Sequence, residues 1–413
     1  MLLCLSIMEI DSPDSMETTP SLTRPRLEAA RAAIITAATL LFGVFSLAGS
    51  RDIAWAGQWL LLAAPACAYI HFFLWRRLPR NRPGEGLPLL STLGSGTQLS
   101  LARGILLGLV FGFLAGPLPI GVLSWVPASL YTLAVLSDYF DGYLARIKGN
   151  VTLLGADLDM ELDALGMLVG VALAIHHGAL SYWFLPIGLA RYAFVFGMWA
   201  LRRAGKPLHE LPPSMSRRPV AGLTTGFLSV MLWPIVRPPA STLAGVLFLM
   251  PFLASFLRDW FVVRGVVDPA SKGYLEIRDI AKTVLTDWIP LSLRGLLVGG
   301  LLQAGLWGGP ASPDRIAELA AMDIPSPELV VSVFWLIEAV GLVLILFGVA
   351  GRAASLVLLF PQGLTILAAG LTPVRAMALA AMIGILYLGT GIASLWQPEK
   401  SLFARRAGER SGG

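Results

Sequence analysis

Residues 119–179 read PIGVLSWVPASLYTLAVLSDYFDGYLARIKGNVTLLGADLDMELDALGMLVGVALAIHHGA, two apolar runs with six acids gathered where they join. Each run, about 119–137 and about 161–179, has the length a helix needs to cross about 30 Å of hydrocarbon. The stretch therefore reads as a membrane hairpin with its acidic joint on one side of the bilayer.

The same pattern recurs outward in both directions. Hydrophobic residues make up 56% of the 413 and charged residues only 14%, against roughly 25% charged in an average soluble domain. Mean hydropathy is +0.72, which excludes an ordinary soluble protein. Apolar spans at about 32–49, 53–75, 99–117, 119–137, 161–179, 181–200, 219–236, 241–263, 288–308, 329–349, 353–371 and 374–396 predict an all-α polytopic membrane protein with about twelve transmembrane helices. They group as a polar tail (1–28), a two-span region with a basic linker (29–89), a six-span region (90–265), a polar linker (266–287), a four-span bundle (288–396) and a second tail (397–413). The apolar start Met1 to Leu5 lacks a basic lead and is followed by Glu9, Asp11 and Asp14, so it does not read as a cleaved signal peptide.

The formal charge of +5 is a topology signal rather than a nucleic-acid signal. Arg76, Arg77, Arg80 and Arg82 fall on one side of the predicted spans, with Arg146, Lys148, Arg202, Arg203, Arg217, Arg218, Arg264, Lys272, Arg278, Lys282 and the tail arginines. The other side holds little beyond Arg51 and Arg237. By the positive-inside rule the basic side is cytoplasmic, and the acidic joint lies on it. Cys4 and Cys67 show no metal or disulfide pattern. Gly104, Gly108, Gly112 and Gly116 recur every four residues, a stripe that permits close helix packing.

In a chain that avoids charge, Asp138, Asp141, Asp157, Asp159, Glu161 and Asp163 crowd into 26 residues. Asp138 and Asp141 are three apart at the end of one helix; Asp159 and Asp163 are four apart at the start of the next. Each pair shares a helix face. Clustered carboxylates repel one another unless a cation compensates them, and hard oxygen ligands suit Mg²⁺ or Mn²⁺ shared with substrate phosphates. Gly142, Ala145 and Gly155 remove bulk beside the acids, and Arg146 offers a cationic fork for phosphate. A divalent-metal site acting on a phosphoanhydride follows.

The spacing Asp-x2-Asp-Gly-x2-Ala-Arg-x8-Gly-x3-Asp-x3-Asp, from Asp138 to Asp163, resembles the signature of the CDP-alcohol phosphatidyltransferases, and the resemblance extends over about residues 90–265. It implies that an alcohol hydroxyl displaces CMP from a CDP-activated lipid such as CDP-diacylglycerol. It implies further that Asp138, Asp141, Asp159 and Asp163 hold Mg²⁺ or Mn²⁺, as two ions, with Asp163 also the general base. Gly142, Ala145 and Gly155 would line the cytidine pocket, with Arg146 at the acids or phosphates. Asp157 and Glu161 lie outside the signature and read as solvated neighbours. The family's Asn-x2-Thr-x2-Arg pattern meets Thr97, Ser100 and Arg103 here; Ser100 and Arg103 fit as nucleotide contacts, and Thr97 departs from it.

The acceptor alcohol is not fixed by these residues. Ser214, Ser216, Arg217 and Arg218 open one span on the side of the acids and suit an acceptor phosphate such as that of glycerol phosphate or inositol phosphate. Arg258 and Asp259 read as a pair within the last span of this region. In the C-terminal bundle Arg294 and Glu338 lie inside spans and are expected to neutralise each other. The Glu-bearing span, its Gly348 to Ala354 end and the helix count resemble the DoxX-like membrane family over about 288–396. The expectation is an integral protein of the bacterial cytoplasmic membrane, active site facing the cytoplasm, whose partners are the lipid bilayer, a CDP-activated lipid and an acceptor alcohol, with a homodimer as the assembly to test and no nucleic acid. A transporter, the competing class, predicts charges spread through both leaflets and repeated halves; a non-catalytic scaffold has no need of four aspartates with Gly and Ala between them.

Overall fold

The computed structural model describes residues 22–147, 152–212, 217–304 and 306–398; the side chains of 141–147, 218 and 304 are outside that description. Fourteen α-helices and no β-strand occur among the described residues. The chain divides into two compact units, one comprising Met1–Gly197 and Thr225–Pro234, the other Met198–Thr224 and Ile235–Gly413.

The first unit holds α1 (Thr23–Ser50), α2 (Ile53–Arg77), α3 (Ser95–Gly112), α4 (Val126–Ile147) and α5 (Leu153–His176). Helix starts follow from local chemistry: the Asp52 side chain accepts the Trp55 amide at 2.7 Å, and Thr152 accepts the Gly155 amide at 3.0 Å. Helix α3 packs against α2, α4 and α5, and the glycine stripe is the reason. A Cβ on Gly108 would lie 2.5 Å from Cys67 Sγ, and one on Gly112 would lie 2.6 Å from the Trp59 ring and 2.9 Å from Ala63. Glycine thus admits α2 directly onto α3, where Trp59 Nε1 donates to the Leu109 carbonyl at 3.1 Å. Fully buried Tyr131 of α4 donates to the Gly166 carbonyl of α5 at 2.9 Å, so the hairpin is tied deep in its apolar part.

The basic linker after α2 is a folded strap. Residues Leu78–Arg80 form a short 3-10 turn. Fully buried Asn81 donates from Nδ2 to the Leu90 and Thr92 carbonyls at 3.3 and 3.0 Å, and its backbone carbonyl accepts the Leu90 amide at 2.8 Å. Glu28 of α1 accepts the Leu93 amide at 2.7 Å. One buried side chain thereby closes a segment whose Pro and Gly content suggested only a spacer.

Helices α6 (Leu185–Arg203) and α7 (Arg217–Met231) cross the division between the units. The second unit continues with α8 (Ala240–Val263), α9 (Lys272–Thr283), α10 (Ile289–Ala304), α11 (Pro313–Ala320), α12 (Pro327–Phe347), α13 (Gly351–Ala369) and α14 (Pro373–Leu388). Helices α10, α12, α13 and α14 form a ring in which each packs on two others. The expected pairing inside this bundle is wrong in its partner. Among the described residues Arg294 pairs with no carboxylate; its guanidinium donates to the carbonyls of Ile345 at 2.9 Å, Leu346 at 2.5 Å, Thr390 at 3.3 Å, Ile392 at 3.1 Å and Ala393 at 3.4 Å. Glu338 pairs instead with Arg315 of α11 through two parallel bonds of 2.8 Å and accepts from Gln362 at 2.9 Å. Residues 309–328 lie between two predicted spans, and within them the short helix α11 carries Arg315 to the bundle. The helix is placed by Leu319, which packs with Val331 and Phe334.

Seven helical segments among the described residues are long and apolar enough to cross a membrane: Thr23–Ser50, Ile53–Arg80, Tyr182–Arg203, Ala240–Val263, Lys272–Gly308, Pro327–Phe347 and Gly351–Ala369. Two shorter apolar helices are Pro219–Met231 and Pro373–Leu388. Helix α5 is as long as a span but carries Asp157, Asp159, Glu161 and Asp163 in its first half. Outward faces present large apolar groups, among them Phe42, Phe45, Leu61 and Phe360, as hydrocarbon solvent accepts. The chain is an integral membrane protein, and among the described residues seven of the about twelve expected spans meet this length and composition.

Candidate active site

Helices α3, α4 and α5 bring Arg103, Asp138, Asp159 and Asp163 together in the first unit. One carboxylate oxygen from each aspartate lies within 4.8 Å of the others. Arg103, 4% exposed, sits beneath them. Its Nη1 donates to Oδ1 of Asp138 and, at 3.1 Å, to Oδ1 of Asp159; its Nη2 donates to Oδ1 of Asp163. The guanidinium is buried while the three carboxylate side chains remain about half exposed. The acids therefore present an open face to whatever approaches, and the arginine holds them from the protein side.

Among the described residues one guanidinium faces three carboxylates. Asp159, which precedes the apolar stretch of its helix, shows the strain: its carboxyl is pushed up to about 7, first by burial and then by the charge of Asp163, with Arg103 pulling the other way. A divalent cation on hard oxygen donors relieves such a cluster, so the donor set fits Mg²⁺ or Mn²⁺.

Other expected site residues are distributed as follows. Asp141, Gly142, Ala145 and Arg146 lie on α4, but their side chains are outside the described residues, and Lys148, Ser214 and Ser216 are outside them altogether. Gly155 stands at the crossing of α5 with α3: a Cβ there would be 3.3 Å from Thr97 Oγ1 and 3.2 Å from Thr152 Oγ1. Thr97, the departure from the family pattern, is buried at this crossing. Ser100 is buried and donates to the Gly96 carbonyl at 3.1 Å. Arg103 was expected at the nucleotide, and the structure places its guanidinium on the acids.

Asp157 is not a solvated neighbour. It is 7% exposed and forms ion pairs with Arg77 at 3.2 Å and with Arg80 Nε at 2.7 Å. Glu161 accepts from the Tyr69 hydroxyl at 2.7 Å. The missed signal was the run of arginines after α2, which read as membrane topology alone. In the second unit Arg217 Nε lies 2.7 Å from Asp259 Oδ2, and Arg258 Nη2 lies 2.8 Å from Asp259 Oδ1. The expected Arg258–Asp259 pair is thus present with a second arginine added.

Residues 96–268 match the family model described as CDP-alcohol phosphatidyltransferase. Among curated proteins, the chain is 38% identical over 66 residues to a CDP-diacylglycerol--glycerol-3-phosphate 3-phosphatidyltransferase of Wigglesworthia glossinidia brevipalpis, covering 16% of this chain and 36% of the relative. It is 32% identical over 74 residues to a protein of the same description from Cereibacter sphaeroides, covering 18% of this chain and 34% of the relative. The chain therefore spans about a third of the length of the curated relatives it matches. No solved structure matches it. The match ends before the four-helix ring, so nothing in it bears on the DoxX-like resemblance. The three convergent aspartates and Arg103 all lie inside the stretch, residues 96–268, that matches the CDP-alcohol phosphatidyltransferase domain.

Proposed function

We propose that this chain transfers a phosphatidyl, or other substituted phosphate, group from a CDP-alcohol such as CDP-diacylglycerol to an acceptor hydroxyl, releasing CMP. The observation that carries this reading is the convergence of Asp138, Asp159 and Asp163 on one point within the matched segment. Asp138, Asp159 and Asp163, with Asp141 as a further ligand, would hold two Mg²⁺ or Mn²⁺ ions. Such ions, when bound, neutralise charge on the diphosphate and on departing CMP.

The protein's own groups divide the remaining work. Asp163 accepts the proton of the acceptor hydroxyl as its oxygen bonds to the phosphorus that carries the lipid, and the bond from that phosphorus to the CMP oxygen breaks. Arg103 holds the three carboxylates at their separation, a task that takes precedence over the nucleotide contact expected of it. Gly142, Ala145 and Gly155 leave room for the cytidine, with Arg146 and Ser100 beside it. Glycerol phosphate is the first choice of acceptor, because both relatives are named for it; inositol phosphate is the second. Arg217 and Arg218 are the proposed contacts for the acceptor phosphate, supported by their place in the basic stretch that opens one span on the side of the acids. The site faces the cytoplasm, the side to which the basic loops assign it.

The test is release of CMP from labelled CDP-diacylglycerol with a panel of acceptors, with and without Mg²⁺ or Mn²⁺, for wild type and Asp163→Asn. Metal-dependent release is expected, falling about 10²–10⁴-fold in the variant, the range for loss of a general base. Release that needs no metal and survives the substitution sinks the mechanism; no release with any acceptor sinks the activity.

A further inference from the structure

The family match begins at residue 96, after α1, α2 and the strap, yet α2 and the strap hold α5 by the face opposite Asp159 and Asp163. An α-helix turns about 100° per residue. Asp157 and Glu161 therefore stand about 200° before and after Asp159, on the side facing away from Asp159 and Asp163. That side is gripped at three heights. The Leu153 amide, at the start of α5, donates to the Arg82 carbonyl of the strap at 2.9 Å. One turn on, Asp157 takes Arg77 and Arg80. A further turn on, Glu161 takes the Tyr69 hydroxyl. Against α2 itself runs the glycine stripe of α3, the helix that carries Arg103.

We propose that α2 and its strap are a positioning element of the transferase site, in which Arg77 and Arg80, acting through Asp157, set the rotation of α5 and so the aim of Asp159 and Asp163. The proposal rests on the metal-dependent reading above. Side-chain tips lie about 5 Å from a helix axis, so a rotation of about 10° carries a carboxylate through about 1 Å. Metal–ligand distances tolerate only about 0.2 Å, and a misplacement of about 1 Å can cost 10²-fold in rate. Among the described side chains Arg77 and Arg80 touch no acid of the site, so their effect reaches Asp159 and Asp163 through the orientation of α5.

The experiment uses the full chain purified in detergent and reads Mn²⁺ binding directly by electron paramagnetic resonance. Wild type, Asp157→Asn, Arg77→Gln/Arg80→Gln and the three changes combined are compared, with monodispersity as the check of folding. Each set is expected to weaken Mn²⁺ binding about tenfold, and the combination no more than the worse of the two, because both break one clamp. Binding unchanged within twofold in the folded variants overturns the proposal, as do losses that multiply when combined. If the arginine pair is needed for folding, Asp157→Asn and Tyr69→Phe decide. Tyr69→Phe deletes one hydroxyl and is expected to weaken binding two- to threefold; no change in either variant overturns the clamp. A wild type that binds no Mn²⁺ removes the metal reading and the clamp with it, whereas metal-binding wild type with unaffected variants refutes the clamp alone.

Discussion

Replacing Glu338 by Gln tests the charge pairing inside the C-terminal ring. The substitution keeps the shape of the side chain and removes its charge, leaving the Arg315 guanidinium, 5% exposed, opposite a neutral amide. Glu338 itself is fully buried. It lies eleven residues into α12, about 16 Å along the axis at 1.5 Å per residue, so water reaches neither partner readily. Stranding one member of a buried pair costs about 3–5 kcal/mol. In a unit of this size each kcal/mol moves Tm by about 2–4 °C, so the midpoint should fall by about 6–20 °C. The assay is the fraction of monodisperse protein after heating in detergent. Adding Arg315→Met to Glu338→Gln removes the stranded charge and should restore more than half of the loss; adding Arg294→Met should restore none. A Glu338→Gln midpoint within 2 °C of wild type, by the same conversion less than about 1 kcal/mol, refutes the reasoning. Rescue through Arg294 in place of Arg315 refutes the pairing.

Two further outcomes follow from the first unit. Gly108→Ala places a Cβ 2.5 Å from Cys67 Sγ and 3.2 Å from the Cys67 amide, an overpacking that should cost about 1–3 kcal/mol; heat stability should drop, and Cys67→Ala in the same chain should recover part of it. Thermal unfolding untouched by Gly108→Ala would mean that α2 does not lie on α3 at this level. Arg103→Lys keeps the charge but loses the fork that spans three carboxylates, and Mn²⁺ affinity should fall about 10–100-fold, as when outer partners of metal ligands are altered; unchanged affinity would leave Arg103 without its assigned role.

The convergence of Asp138, Asp159 and Asp163 was legible because membrane chains avoid charge: the acids stood out at once, and their helical spacing already placed them on facing helix ends. The four-residue glycine period likewise announced a close helix contact. Less visible was what the arginines do. Positive-inside bias and a built ion pair leave the same residues in the sequence, and only the fold separates Arg77 and Arg80, which meet Asp157, from arginines that merely mark a membrane face. Glu338 illustrates the same limit across a longer reach. Arg294, inside a predicted span, was the visible partner in the sequence, whereas Arg315 lies outside every predicted span and reaches Glu338 only because α11 folds back onto the bundle. Counting spans by composition meets a related limit, since the four acids in the first half of α5 remove that span-length helix from any criterion based on apolar composition.

Arg294 also bears on handling the protein. Its guanidinium draws on carbonyls of Thr390, Ile392 and Ala393 as well as the end of α12, and the segment beyond continues against α12 through the Leu395 amide on the Phe347 carbonyl and the Ala350 amide on the Trp396 carbonyl. A purification tag or reporter fused directly after α14 would pull apart the acceptors of a buried cation, so fusions belong beyond residue 398, where the last of these contacts has already been made.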